Sequence, residues 1–103
     1  MKIAVTYENG QVFQHFGHTE QFKIYEAAEG KVVSARVVET GGSGHGALAG
    51  FLRGLGVDTL ICGGIGGGAR SALAEAGIQL YPGASGSADA QVEALLALSL
   101  IHI

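Results

Sequence analysis

The run from Asp58 to Ile78, DTLICGGIGGGARSALAEAGI, constrains the fold more than any other stretch. Thr59-Leu60-Ile61-Cys62 is apolar with no polar alternation, the pattern of a parallel strand buried on both faces. Gly63, Gly64, Gly66, Gly67 and Gly68 then leave the backbone nearly bare. Ala69, Ala72, Leu73 and Ala76 recur at helical spacing, and Gly77 stands where a left-handed residue closes a helix. Ile78-Gln79-Leu80-Tyr81 begins a further strand. Strand, glycine loop, helix and strand in this order make a crossover unit, which is right-handed when its strands are parallel.

A glycine loop that opens a helix lets a ligand approach bare N–H groups at the positive end of the helix dipole, so an anion is the natural guest. The blander reading is a tight turn that needs only positive φ. Five glycines in the six positions 63–68 exceed what one turn requires, and the reading here is a binding loop. Two familiar loop types fit it poorly. Gly64-Ile65-Gly66-Gly67-Gly68-Ala69 matches the dinucleotide pattern G-x-G-x-x-A, but Tyr81-Pro82-Gly83 stands where that pattern wants an acid. A nucleotide P-loop ends in Gly-Lys-Ser/Thr, and Gly68-Ala69-Arg70 lacks the lysine.

The 103 residues read as one domain over 1–103, with the apolar tail 98–103 left undecided between packing on the body, packing on a partner and being foreign to the chain. Hydrophobic residues at 48% against 15% charged exclude a disordered chain. A net charge of −3 argues against a nucleic-acid partner, which would want a basic face. No apolar run is long enough to cross a membrane, no signal peptide is visible, and one cysteine rules out an internal disulfide, so the expected compartment is the cytoplasm.

In chain order, Ile3–Tyr7 reads as the first strand. Asn9-Gly10 is a tight-turn signal, yet the residues after it do not read as a hairpin partner, and residues 8–19 are expected to form a long, partly ordered loop. Gln21–Ala28 and Lys31–Glu39 are two strands joined at Glu29-Gly30. Ser43 is placed to cap a helix with Ala47, Leu48, Phe51, Leu52 and Leu55 on its apolar face, and Ser87 to cap a last helix with Asp89 in its first turn. The order βββαβαβα predicts an α/β fold: a five-stranded mixed sheet in the order 3-2-1-4-5, its second strand antiparallel, with helices on both faces. The loops 8–19, 40–45, 63–68 and 82–87 then leave from one carboxyl edge, where open α/β sheets bind ligands beside the point at which strand order reverses.

The histidines and the cysteine are the soft-metal ligands available. His15 and His18 share the first loop, and His45 opens the first helix, where the dipole disfavours the imidazolium and keeps the ring able to ligate. Their spacing alone is no zinc signature, and any one of them taken singly reads more simply as a solvated loop histidine. His102 lies in the tail and reads as incidental. Cys62 ends its strand and reads as a small buried hydrophobe before it reads as a thiolate ligand. For catalysis the chain offers no nucleophile elbow, no serine with an evident base and no close carboxylate pair, so the expectation is a binding protein and not an enzyme.

His15-Phe16-Gly17 followed by Phe22, the segment Gly44-His45-Gly46, GVDTLICGGIGGGA over 56–69, AGI at 76–78 and the closing SADAQVEALL together resemble the dinitrogenase iron-molybdenum cofactor biosynthesis family. The resemblance runs from Met1 to about Leu96. It implies a ribonuclease-H-like fold and non-catalytic binding of an iron–sulfur or iron–molybdenum cluster, or its precursor, in transit between assembly and acceptor proteins. On that reading Gly63, Gly64, Gly66, Gly67, Gly68 and Arg70 hold a negatively charged cluster, while His15 and His45, with His18 and Cys62 as weaker candidates, ligate iron. Gly67 and Gly68 stand where the family often carries proline and arginine, a loss of pre-organisation and of one positive charge. The rival reading is a sensor domain that binds a small organic anion or nucleotide at the same edge without metal.

Overall fold

The computed structural model describes residues 1–41 and 45–101, the side chains of 45, 46 and 98–101 excepted. The sheet closes around β1 (Lys2–Glu8), whose Ile3, Ala4, Val5 and Thr6 are all buried because both faces are covered. β1 pairs antiparallel with β3 (Gln21–Ala28) and parallel with β5 (Thr59–Ile61). Outside these, β4 (Lys31–Glu39) lies antiparallel to β3, and β6 (Gln79–Tyr81) parallel to β5. The order β4-β3-β1-β5-β6 is the 3-2-1-4-5 path expected from the element order. Strand order reverses between β1 and β5, and the apolar run at 59–61 is buried as its composition predicts.

The sheet has six strands and not five. β2 (Gln11–Val12) turns back from β1 through Asn9 and Gly10, both in the left-handed region at φ 50° and 84°, and pairs Val12 with Tyr7 and Gln11 with Glu8. The asparagine-glycine signal therefore does make a tight hairpin. A strand of two residues is too short to show alternation, which is why the sequence reads through it as loop.

Period-two alternation sends neighbouring residues of the strands to opposite faces. Ala4, Phe22, Ile24 and Leu60 build one core with α1 (His45–Gly54) and α2 (Gly67–Glu75). Ile3, Val5, Tyr25 and Ile61 build the other with α3 (Ala88–Ile101). Helices thus cover both faces, two on one and one on the other. α1 ends at Gly54, with Gly56 just beyond in the left-handed region, and Gly77 closes α2 in the same conformation. The Ser87 hydroxyl accepts a hydrogen bond from the Ala90 amide at 3.2 Å, the capping role its position predicts. Ser43, expected to cap α1, lies outside the described residues, as do His102 and the last residue of the tail; α3 itself runs on to Ile101. Among the described residues no helix is long and apolar enough to cross a membrane.

Candidate functional site

The loop after β1 is an ordered strap. Thr6 exchanges hydrogen bonds with Phe13, the Phe13 amide donating to the Thr6 carbonyl at 2.9 Å and the Thr6 hydroxyl donating to the Phe13 carbonyl at 2.8 Å. The strap then crosses the glycine loop. The Gly64 amide donates to the Gln14 carbonyl at 2.6 Å, and the Phe16 amide donates to the Gly64 carbonyl at 3.0 Å. Phe16 starts a short 3-10 turn (Phe16–His18) and buries its ring against Phe22, 6.1 Å between centroids. Phe22 in turn stacks on Phe51 of α1 at 6.2 Å. The loop after β6 joins the same knot: the Gly83 amide donates to the Gly63 carbonyl, and the Gln14 side-chain amide donates to the carbonyls of Val12 and Ala84. Gln14 carries no signal of this role in the sequence, because its partners come from three separate connections.

The glycines divide into two groups. A Cβ on Gly63 would stand 2.7 Å from the Gln14 Cα, and one on Gly64 3.0 Å from the Gln14 carbonyl oxygen. These two are glycine because another backbone passes over them, and the Gly64 amide is already spent on that crossing. Gly66, Gly67 and Gly68 are different. A Cβ there would meet nothing within 4 Å, and none of the three has a positive φ. Gly66 is the N-cap of α2 and offers no side-chain cap, and the first turn holds no acid. Within a helix glycine is unfavourable by about 0.5–1 kcal/mol against alanine, a cost that falls on Gly67 and Gly68. At the N-cap, where Gly66 stands, glycine is the better residue. Neither a close approach nor a positive φ within the described fold asks for glycine at 67 and 68.

Between strap and helix lies a cavity of about 630 Å³, inside the range of roughly 300–1,000 Å³ usual for small-ligand sites. His15, Phe16, Gly17 and His18 form one wall; Gly64, Ile65, Gly66, Gly68, Ala69 and Ala72 form the other. His15 and His18 are exposed and meet edge to face, ring centroids 6.4 Å apart. Their side chains are thus brought to the glycine loop, which sits across a parallel bridge between His15 and Gly64. Ile65, Ala69 and Ala72 make an apolar floor, of which the sequence signals only a helix face.

Gly67 and Arg70 are not among the lining residues. Arg70 is exposed, and its amide donates to the Gly66 carbonyl at 3.1 Å. Cys62 is fully buried beneath the loop, in the core shared with α1 and α2, and burial pushes its thiol up to about 11, with Arg70 pulling weakly the other way. At neutral pH it is a thiol. His45 is the first residue of α1, in the connection that follows β4 at the same sheet edge, and its side chain lies outside the described residues. Among the described residues no three His, Cys, Asp or Glu side chains converge as a ready metal site, and no buried side-chain polar atom lacks a partner.

Residues 1–98 match a family profile described as dinitrogenase iron-molybdenum cofactor. The FeMo cofactor biosynthesis protein NifB of Sinorhizobium fredii is 40% identical over 77% of this chain, which spans only 18% of that protein's length. An uncharacterized protein of Methanocaldococcus jannaschii is 32% identical over 93% of this chain and 86% of its own. Among solved structures, PH0822 superposes with a TM-score of 0.89 at 26% identity, covering 94% of this chain and 89% of that one. The apo form of the orange protein from Desulfovibrio gigas superposes with a TM-score of 0.77 at 29% identity, covering 98% and 88%.

Proposed function

The chain belongs to the dinitrogenase iron-molybdenum cofactor family, and from that membership we propose that it is a non-catalytic carrier of an iron–sulfur or iron–molybdenum cluster or its precursor. The cluster is cargo on this reading, received from assembly proteins and passed to an acceptor in the cytoplasm. The ribonuclease-H-like assignment of the fold belongs to the same proposal and is supported by the mixed sheet with its reversal beside β1.

The observation that carries the reading is the cavity between two histidines and a bare helix start. The donor set fits an anionic cluster in part: imidazoles can ligate iron, and the uncapped first turn of α2 offers N–H dipoles to the sulfide and oxygen atoms. Gly66–Gly68 leave room for a bulky, rigid guest to reach the backbone. His15 is the foremost ligand in the proposal and His45 the second, since both belong to connections at the carboxyl edge. His18 is a further candidate on the same wall. Cys62 would have to leave the core and lose its proton first, so it ranks below the three. Arg70 contributes long-range positive charge beside the helix start and not a contact.

The test is cluster reconstitution under argon with the parent, His15→Ala, His45→Ala and the double variant, read by iron and sulfide content and visible absorption. The expected result is a stepwise loss of bound iron, nearly complete in the double variant. Parent-like uptake by a folded double variant would show that these histidines are not ligands. A parent protein that takes up no iron, yet binds an organic anion or nucleotide, would replace this reading with the metal-free sensor.

A further inference from the structure

β4 is an open sheet edge with unusual composition. It is nine residues long, every residue except Val38 is exposed, and Val32, Val33 and Val37 are 39%, 65% and 45% exposed. No strand among the described residues lies beyond it. Alternate N–H and C=O groups of an edge strand point away from its only neighbour, and proteins usually guard such an edge with proline, charge or a short strand. β4 has no proline, and beside its charged Lys31, Arg36 and Glu39 it carries two pairs of valines, 32–33 and 37–38.

We infer that β4 pairs antiparallel with β4 of a second copy of this chain, about a two-fold axis at Ala35, joining two sheets into one. The strand is self-complementary about that residue. Val33 falls opposite Val37 of the second copy, Ser34 opposite Arg36, and Ala35 opposite itself. The axis is perpendicular to the sheet, so each face stays in register with the same face of the copy. In the ladder with β3, Ser34 faces Glu26 and Arg36 faces Ile24 on that one face. The Ser34 hydroxyl already donates to the Glu26 carboxylate at 3.0 Å. Arg36 of the second copy therefore arrives beside Ser34, one strand from Glu26, and the symmetry makes this contact twice. Arg36 has no ion pair among the described residues, and Glu26 has only the distant Lys2 at 4.0 Å. Lys31 of one copy comes to the end where Glu39 of the other lies, again with opposite sign. The ladder shift between Glu26 and Ala27 places an extra β4 residue near Val33, so the regular pairing centres on Ser34–Arg36. A second copy suits this edge better than a foreign strand because the complementarity is written within one sequence.

The antiparallel axis sends the two cavities to opposite ends of the joined sheet, since each opens at the carboxyl edge of β1 and β5. The dimer is thus bivalent and leaves both sites open. This inference stands whether or not the cargo is a cluster.

The test is sedimentation of the full chain from dilute to concentrated protein, with hydrogen exchange of the β4 amides. The parent should pass from the 10.5 kDa monomer to twice that mass, with protection of the outward-pointing amides around Ala35 rising in step. Ala35→Asp, which sets two carboxylates face to face, should weaken association about tenfold or more. Arg36→Glu should weaken it too, and Glu26→Arg combined with Arg36→Glu should restore it, with circular dichroism reporting the fold of each variant. A parent that stays monomeric with concentration-independent exchange overturns the inference. So does an assembly that Ala35→Asp and Arg36→Glu leave intact, which would pair through another surface.

Discussion

At the scale of single residues, the glycine loop holds two kinds of glycine that a string of letters cannot separate. Gly63 and Gly64 are demanded by the Gln14 backbone, whereas Gly66, Gly67 and Gly68 face open space. The consequence is an opposed pair of outcomes. Gly63→Ala should destabilise the protein by about 1–3 kcal/mol, because its new methyl group would stand 2.7 Å from the Gln14 Cα and also crowd the Gln14 side chain that ties the loops together. Gly67→Ala and Gly68→Ala should each stabilise the unliganded protein, by a few tenths to about 1 kcal/mol, by restricting the unfolded chain and favouring the helix start. On the carrier reading the change at Gly68, which lines the cavity, also weakens cluster uptake. Urea denaturation beside reconstitution separates the effects; a loss of stability at 67 or 68 would mean that the fold, and not a guest, requires glycine there. Cys62 offers a second check at this scale. Buried as a thiol, it should resist alkylation in the folded protein and react on unfolding, and rapid native labelling would place it at the surface.

At the scale of elements, α3 is tied to the sheet by a polar clasp at its first turn. The Asp89 carboxylate accepts from Lys23 Nζ at 2.8 Å and from the Tyr25 hydroxyl at 2.5 Å, while the Lys23 ammonium lies 5.2 Å from the Tyr25 ring centre and 5.7 Å from that of Tyr7. The Lys23 hydrogen bond, then that of Tyr25, holds the Asp89 carboxyl below its ordinary value. Burial first, and the bond to Asp89 second, push the Tyr25 phenol up. A carboxyl with a depressed folded pKa adds stability that is present above its unfolded value and lost as pH falls through its folded value. Acidification below the ordinary carboxylate range should therefore loosen α3, by less than about 1 kcal/mol because the Asp89 side chain is 64% exposed. Asp89→Asn should lower stability at neutral pH and flatten this acid limb; an unchanged pH profile would show that the clasp adds nothing. The cap of α3 was legible in Ser87, but the partners of Asp89 were not, since Lys23 and Tyr25 lie more than sixty positions away in the chain.

At the scale of the whole molecule, one aromatic path joins the site to the core: Phe16 of the strap, Phe22 of β3 and Phe51 of α1. Phe22→Ala should remove roughly 3–5 kcal/mol of a total stability of roughly 5–15 kcal/mol, and it should free the strap that carries His15 and His18. A thermal melt would show the loss, and a melting temperature within a degree or two of the parent would sink the idea that this path is central. The amino-acid sequence by itself determined the long elements, the order of the main sheet path, the helix-closing glycines and the carboxyl edge at which the unusual residues gather. Each of these rests on local periodicity or on connection rules that act over short spans. Only the tertiary structure decided that Gln11–Val12 is a sixth strand, that Gly64 spends its amide on the strap, that Cys62 lies beneath the loop and that β4 is an edge with Val32, Val33 and Val37 exposed. Those outcomes depend on which distant backbone crosses which residue, and a close approach of two segments leaves no mark on the spacing of either.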